Sequence, residues 1–516
     1  MTVLSDTTVI FLYNNIMKLT SKTIEQLLSS HNLLVSQPVT YHEFSFLHYD
    51  TRQVEPETLF VVKGAFRPEY LENAQGITGI VSESQLPVDL PQWQVTNVQK
   101  ALSLLSMAFF DYPQKKLWIG AFTGTKGKTT AAYMTYHILK AATDNHTALF
   151  STVDRITGPK ASDRKKSDLT TPESYELFKD MRRVVDNGMT HLIMEVSSQA
   201  YLKQRVYGLR YQVGAFLNIS PDHIGPNEHP NFEDYLAHKL MLFDHSDKVI
   251  VNAESDHLSE IMTHAKKGHD KIYTYSNAEK GGEYTFTSQS SAIHESQLTV
   301  QASDLSEMAG AYRLNLPGDF NESNALAALI MAALAGAKHE AMVKGLDTVF
   351  IPGRMLSLPI PNHGVAFVDY AHNYASMHAL LKFAQSQYPD GKVIVVVGSP
   401  GNKGVSRRAD FGRVVSELAD VVYLTADDPQ FESPKTIADE IAANINNPKL
   451  DVHFEMDRIA AINQALLAAR DNDIVIVAGK GEDPYQKVNG VDEPYIGDYA
   501  VVKNFVATHQ GSLTIN

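Results

Sequence analysis

Leu117-Trp118-Ile119-Gly120-Ala121-Phe122-Thr123-Gly124-Thr125-Lys126-Gly127-Lys128-Thr129-Thr130 is the stretch whose reading decides the fold of this chain. Its first six residues have the pattern of a buried strand, a glycine-rich turn follows, and a helix-like run (TTAAYMTYHILKAA) begins at Thr129. Strand, turn and helix in that order are the context a phosphate-binding loop requires. Gly124 and Gly127 let the backbone turn tightly and present N–H groups to phosphate oxygens. The helix that follows adds the positive end of its dipole. Lys128 can reach the terminal phosphates, and the Thr129 hydroxyl suits Mg²⁺. The first glycine of the general G-x-x-x-x-G-K-[ST] pattern is missing, because position 122 is Phe.

Outward from this loop, strand-like and helix-like segments alternate, which predicts an α/β chain of three domains. Residues 1–113 form the first, with 1–16 read as a flexible extension or a consequence of start-codon choice. Residues 114–351 carry the loop and the strands His191–Val196 and Lys248–Asn252. Residues 352–516 contain the apolar strands Val393–Val397, Val421–Leu424 and Ile474–Ala478, which predict a parallel sheet covered on both faces. Arg164-Lys165-Lys166 is the local basic run of note and reads as a solvated loop.

Composition narrows the function. With 45 Lys plus Arg against 59 Asp plus Glu, the net charge of −14 argues against binding a nucleic acid polymer. The absence of cysteine excludes disulfides, thiolate zinc sites, iron–sulfur clusters and thiol catalysis, and fits a cytoplasmic location. No apolar run approaches the ~20 residues a membrane span needs, so no membrane insertion is expected. A GTPase switch is the natural competitor, since Asp222-His223-Ile224-Gly225 fits D-x-x-G. However, no N-K-x-D guanine-reading motif exists, and Asn402-Lys403-Gly404-Val405 lacks its Asp.

Further along, the residues resemble a family. T-G-T-K-G-K-T-T is similar to the ATP loop of the Mur ligases, ATP-dependent amide-bond ligases of peptidoglycan precursor synthesis. The signatures follow in order: Leu169-Thr170-Thr171-Pro172-Glu173, Met194-Glu195-Val196-Ser197-Ser198, Arg205-Val206 and Asp222-His223. Then come Tyr235-x-x-x-Lys239-x-x-Leu242-Phe243, Gly318-x-Phe320-Asn321-x-x-Asn324, Gly353-Arg354, Asp369-Tyr370-Ala371-His372 and Ala478-Gly479-Lys480-Gly481. Within the family the chain most resembles the branch that adds the third amino acid to the UDP-N-acetylmuramoyl-dipeptide.

The resemblance implies an N-terminal uridine-nucleotide-binding α/β domain, a central P-loop ATPase domain with a mostly parallel sheet, and a C-terminal Rossmann-like domain. It implies transfer of the ATP γ-phosphoryl group to a substrate carboxylate, then attack of an amine on the acyl phosphate. It places ATP on Gly124, Thr125, Lys126, Gly127, Lys128, Thr129, Thr130, Asn321, Asn324, Arg354 and Asp369. Asn321 and Asn324 fall three apart on a predicted helix and so share a face. Domain closure would bring Arg354 and Asp369 to the nucleotide, with His372 near them. Two Mg²⁺ ions are implied near Thr129, Glu195, His223 and Lys239, the last as a CO₂-derived carbamate. Lys128, Glu195, His223 and Lys239 are then the catalytic set.

For the UDP-sugar substrate the resemblance points to Thr51, Arg52, Lys63, Thr170, Thr171, Ser198 and Arg205. For the incoming amino acid it points to Arg408, Asp427, Asp428, Gln430, Gly479 and Asp483. Diaminopimelate-adding members read D-N-P-R where this chain reads Asp427-Asp428-Pro429-Gln430. Gln cannot make the bidentate pair that Arg makes with a second carboxylate. A pocket short of Arg and rich in carboxylates suits an ammonium, so the expected substrates are UDP-N-acetylmuramoyl-L-Ala-D-Glu, ATP and L-lysine, taken by a monomer. L-ornithine or meso-diaminopimelate, or another Mur or folylpolyglutamate-type ligation, are the alternatives, with a non-enzymatic nucleotide-binding module as a third class.

Overall fold

The computed structural model describes residues 18–64, 66–71, 74–222, 224–225, 228–292, 295–316, 319–352, 356–360, 364–371 and 373–509. They divide into two compact units. One holds the chain up to Ser288 with Leu298–Arg313 and Phe320–Val349, and the other holds Gln289–Gln297, Leu314–Asp319 and the chain from Phe350.

In the first unit, an N-terminal five-stranded sheet runs in the order Leu34–Ser36, Gln92–Val95, Ile77–Ser82, Thr58–Val61, Phe46–His48. Its apolar face does not close on itself. One continuous core joins Phe44, Leu59 and Trp93 to Ile119, Phe178 and Leu192 of the segment that follows. The helix Val98–Phe109, buried along almost its whole length, mediates this junction. Two polar contacts cross the same seam, Ser103 Oγ to the Tyr207 carbonyl at 2.8 Å and Tyr49 OH to Glu176 at 3.0 Å.

The larger sheet is built around Trp118–Thr123, whose residues after Trp118 are all buried. Thr147–Phe150, His191–Glu195, Trp118–Thr123, Tyr211–Phe216, Ser246–Asn252 and Ile272–Asn277 lie side by side and parallel. From the central strand the chain steps to one side, through Thr147–Phe150 and His191–Glu195, and then to the other, through Tyr211–Phe216. That reversal makes the C-terminal end of Trp118–Thr123 a topological switch point, where open α/β sheets bind ligands. Arg164–Lys166 departs from expectation. It is a short exposed edge strand paired antiparallel with Asp154–Ile156, held there because Lys165 reaches Asp180 at 2.7 Å and Arg164 pairs with Asp154.

The second unit carries the sheet Leu356–Pro359, Val365–Asp369, Ile474–Ala478, Val393–Val397, Val421–Leu424, Asp451–Phe454, parallel except for its first strand. The runs VIVVV and IVIVA are buried throughout, as strands covered on both faces must be. The mostly parallel α/β architecture expected from the sequence is therefore present. No helix among the described residues is long and apolar enough to cross a membrane.

Candidate active site

The loop after Trp118–Thr123 is held by the segment that leaves the neighbouring strand Tyr211–Phe216. Thr125 N donates to the Asn218 carbonyl at 3.1 Å, and Lys126 N donates to Asn218 Oδ1 at 2.9 Å. Asn218 Nδ2 returns a bond to the Lys126 carbonyl at 3.1 Å, and Ser220 N donates to Thr125 Oγ1 at 3.0 Å. Gly127 has φ +80° and caps the helix Lys128–Ala142. A Cβ at Gly127 would fall 2.3 Å from Asn324 Oδ1, so glycine is needed here for space as well as for backbone angle. Asn321 and Asn324 are both buried on the helix Asp319–Leu334 that makes this approach.

Glu195 ends the strand His191–Glu195 with no exposed surface. Its Oε1 accepts from Thr129 Oγ1 at 2.9 Å and from Thr152 N at 2.7 Å, and Thr152 Oγ1 lies 3.0 Å from its Oε2. Lys128 Nζ donates to the carbonyls of Gly124 at 2.8 Å and Thr125 at 3.2 Å. Lys239, 2% exposed on the helix Phe232–Asp244, donates to the same Gly124 carbonyl at 2.8 Å and lies 4.6 Å from the Tyr235 ring centroid. A helical lysine normally faces water. Here burial, with the Lys128 charge beside it and Asp222 opposing, pushes the Lys239 amine well below its ordinary value of 10.5. His223 lies outside the described residues.

A second group gathers beside Glu195. Thr171 Oγ1 donates to the Glu195 carbonyl at 3.1 Å and accepts from Ser197 N at 3.1 Å, while Thr170 Oγ1 lies 3.0 Å from Thr152 Oγ1. Glu173 joins two of the expected cations, accepting from Arg205 Nε at 2.9 Å and pairing with Lys63. Ser198 is buried, 2.9 Å from His229 Nε2. Thr51 and Arg52 lie on a turn of their own, where the largely exposed Arg52 closes on Asp50 at 2.6 Å.

The second unit holds the residues assigned to the amino acid. Lys480, 2% exposed, is 2.6 Å from Asp428 and 3.7 Å from both Asp427 and Asp483. Burial works to raise Asp428, but the Lys480 ammonium and its hydrogen bond outweigh it and hold the carboxyl below its ordinary value. Asp427 is shifted up by burial against the pull of Lys480 and Arg458. Gly479 faces Asp427, whose Oδ2 would be 3.0 Å from a Cβ there. Gln430, at φ +56°, is tied by its backbone to the hairpin of Tyr485–Val488 and Val491–Pro494, with N to the Lys487 carbonyl at 2.9 Å. Arg408 is engaged by Glu432 at 2.9 Å and Glu440 at 2.7 Å. Asp369 is buried at the end of Val365–Asp369, while Arg354 and His372 lie outside the described residues.

Sequence reading missed Thr152, Asn218, Ser220, Lys480 and the fully buried pair Arg458–Asp498. Only Asn218-Ile219-Ser220 carried a signal, as polar residues at the end of a parallel strand next to the loop strand.

A phosphate loop at a switch point, facing a buried carboxylate and a buried amine, defines a nucleotide-dependent group-transfer enzyme. Residues 122–332 match the Mur ligase middle domain, and residues 353–481 match the Mur ligase, glutamate ligase domain. The chain is 49% identical over 506 residues to a UDP-N-acetylmuramyl-tripeptide synthetase of Latilactobacillus sakei, covering 94% of this chain and 99% of that protein. It is 47% identical over 483 residues to the UDP-N-acetylmuramoyl-L-alanyl-D-glutamate–L-lysine ligase of Enterococcus faecalis, covering 92% and 94%. A solved UDP-N-acetylmuramoyl-L-alanyl-D-glutamate–2,6-diaminopimelate ligase shares the fold at TM-score 0.66 and 24% identity, over 96% of this chain and all of that one. The chain belongs to the Mur ligase family, ATP-dependent amide ligases that use Mg²⁺.

Proposed function

We propose that the chain adds L-lysine to UDP-N-acetylmuramoyl-L-alanyl-D-glutamate. The substrate carboxylate oxygen attacks the γ-phosphorus of ATP, giving an acyl phosphate and ADP. The lysine α-amine, having lost a proton, then attacks the acyl carbon and expels phosphate. Lys128 and the loop N–H groups hold the nucleotide phosphates, with Asn321 and Asn324 beside them; Arg354 and Asp369 are assigned to the same nucleotide. Thr170, Thr171, Ser198, Arg205 and Lys63 orient the nucleotide-sugar substrate.

The donor set near the loop suits Mg²⁺, because the Thr129 hydroxyl and the Glu195 carboxylate are hard oxygen donors brought together at 2.9 Å. Bound there, the ion would neutralise charge on the phosphates. Lys239 as a carbamate, with His223, is assigned to a second ion. A neutral amine is the form that attacks CO₂, and the lowered basicity of Lys239 supports this reading.

The observation that carries the choice of lysine is the grouping of Asp427, Asp428 and Asp483 around one ammonium. Three carboxylates against Lys480 leave a negative excess, and Gln430 stands where an arginine would favour a second substrate carboxylate. The lysine ligase of Enterococcus faecalis, alike over most of its length, supports the same choice. We assign domain boundaries near residues 113 and 351, a monomer and a cytoplasmic location. The test is phosphate release with the UDP-dipeptide, ATP and single amino acids. Turnover with L-lysine well above L-ornithine and meso-diaminopimelate is expected, and turnover with diaminopimelate but not lysine overturns the specificity.

A further inference from the structure

His229 sits in the loop before the helix Phe232–Asp244 with no exposed surface, and both ring nitrogens are engaged. Nδ1 is 2.7 Å from Asp234 Oδ2 and Nε2 is 2.9 Å from Ser198 Oγ. Each member of this row is itself fixed. Asp234 stands in the first turn of its helix, where its N–H is capped by Asn231 Oδ1 at 2.8 Å, and its carboxylate is also 3.3 Å from His238 Nδ1. The His229 ring packs between Tyr235, at 5.3 Å between centroids, and His238, at 5.2 Å. Ser198 opens the short helix Ser198–Leu202 directly after Ser197, whose N–H bonds Thr171 Oγ1.

The proton positions follow from the chemistry of the donors. An ionised carboxylate only accepts, so His229 Nδ1 carries the hydrogen that points at Asp234. In the neutral ring Nε2 is then an acceptor, and the hydrogen between it and Ser198 belongs to the serine hydroxyl. With the ring neutral, the Ser198 hydroxyl is turned inward, and the lone pairs of its oxygen are what it offers outward.

We propose that Asp234 and His229 are positioning residues that fix Ser198 as a hydrogen-bond acceptor for an N–H or O–H group of the UDP-dipeptide, an amide N–H being the class best matched. The inference rests on the reading above that Ser198 touches that substrate. It adds which way the hydroxyl faces and what holds it. A serine with a free rotor could present either its hydrogen or its lone pairs; one whose hydrogen is committed rejects an acceptor and welcomes a donor.

Steady-state phosphate release by the full chain tests this with Ser198→Ala, His229→Gln and the double variant. A Gln amide at 229 can donate to Ser198 and so turn the hydroxyl outward. Each single change is expected to raise KM for the UDP-dipeptide about tenfold, leaving KM for ATP within about twofold, and the double variant should be no worse than Ser198→Ala alone. Additive losses, or equal rises in KM for ATP, overturn the relay. A Ser198→Ala variant with unchanged KM for the UDP-dipeptide overturns the reading of Ser198 beneath it, whatever His229→Gln does. Should His229→Gln fail to fold, ¹⁵N spectra of histidine-labelled wild type and Asp234→Asn decide the matter without activity. A neutral ring protonated at Nδ1 in the wild type is expected, and protonation at Nε2 overturns the proposal.

Discussion

The phosphate loop and the second unit treat buried charge in opposite ways. Around the phosphate loop, Lys239 is met by a backbone carbonyl, and Glu195 by two threonine hydroxyls and an N–H group. In the second unit, buried cations meet carboxylates. Arg458 makes two bonds of 2.7 Å to Asp498, Lys480 is 2.6 Å from Asp428, and Arg408 reaches Glu432 and Glu440. A charge taken from water and met by neutral dipoles is a standing cost, whereas a well-bonded opposite charge recovers much of it. On the proposed reading, the loop region holds groups whose partners are a nucleotide and a cation. The second unit's buried cations are settled within the protein itself.

Lys239→Met should separate the two regions most sharply. It removes the amine while nearly conserving volume. Turnover is expected to fall about a hundredfold to a thousandfold, the scale seen when one key electrostatic group is lost. The melting midpoint, measured without bicarbonate, should stay level or rise, because the cost of burying that amine is gone. Lys239→Ala should be similarly inactive, with partial rescue by short carboxylic acids. A wild-type rate in either variant refutes the role of Lys239, and a fall of several degrees in the midpoint of Lys239→Met breaks the contrast.

The opposite outcome is expected at Asp498. Replacing it by Ala leaves the fully buried Arg458 without its carboxylate and should cost about 3–5 kcal/mol. Urea denaturation should show the second unit unfolding early, and a loss under about 1 kcal/mol would mean that the Ala426 and Ala478 carbonyls, 3.1 and 2.8 Å away, suffice for Arg458.

This contrast also explains what the sequence could reveal. The loop, its flanking strand and helix, and Val393–Val397, Val421–Leu424 and Ile474–Ala478 were legible because they are contiguous and their periodicity is local. Glu195 and Lys239 were legible through the motifs around them. The Glu173 bridge between Lys63 and Arg205, 110 and 32 residues away, was not. Nor was Lys480, which the motif Gly479-Lys480-Gly481 contains without revealing that its ammonium lies inside the acidic cluster. Such pairings are set by which strand ends the topology brings together. The basic run Arg164–Lys166 failed for the same reason, since its strand character comes from Asp154–Ile156 beside it.

The smallest effect is the dependence of stability on pH, where the two regions should differ in sign. The folded-state value of Lys239 lies below its ordinary 10.5, so between those two values the unfolded chain binds more protons. Its unfavourable contribution therefore shrinks as pH rises, and wild type should gain on Lys239→Met between pH 7 and 9, by at most about 1.4 kcal/mol per pH unit. Asp428 is held below its ordinary 3.8, so its favourable contribution is present above that value and is lost as pH falls through the folded one. Lys480 is raised above 10.5, so its contribution is complete below that value and fades only on the alkaline side. Asp428→Asn should thus flatten the acid limb of the stability curve and leave the span from pH 7 to 9 unchanged. Thermal midpoints of the three proteins across both ranges check this. A wild type that loses ground to Lys239→Met as pH rises would show that the lysine is paired after all, and the contrast between the two regions would fail at its central residue.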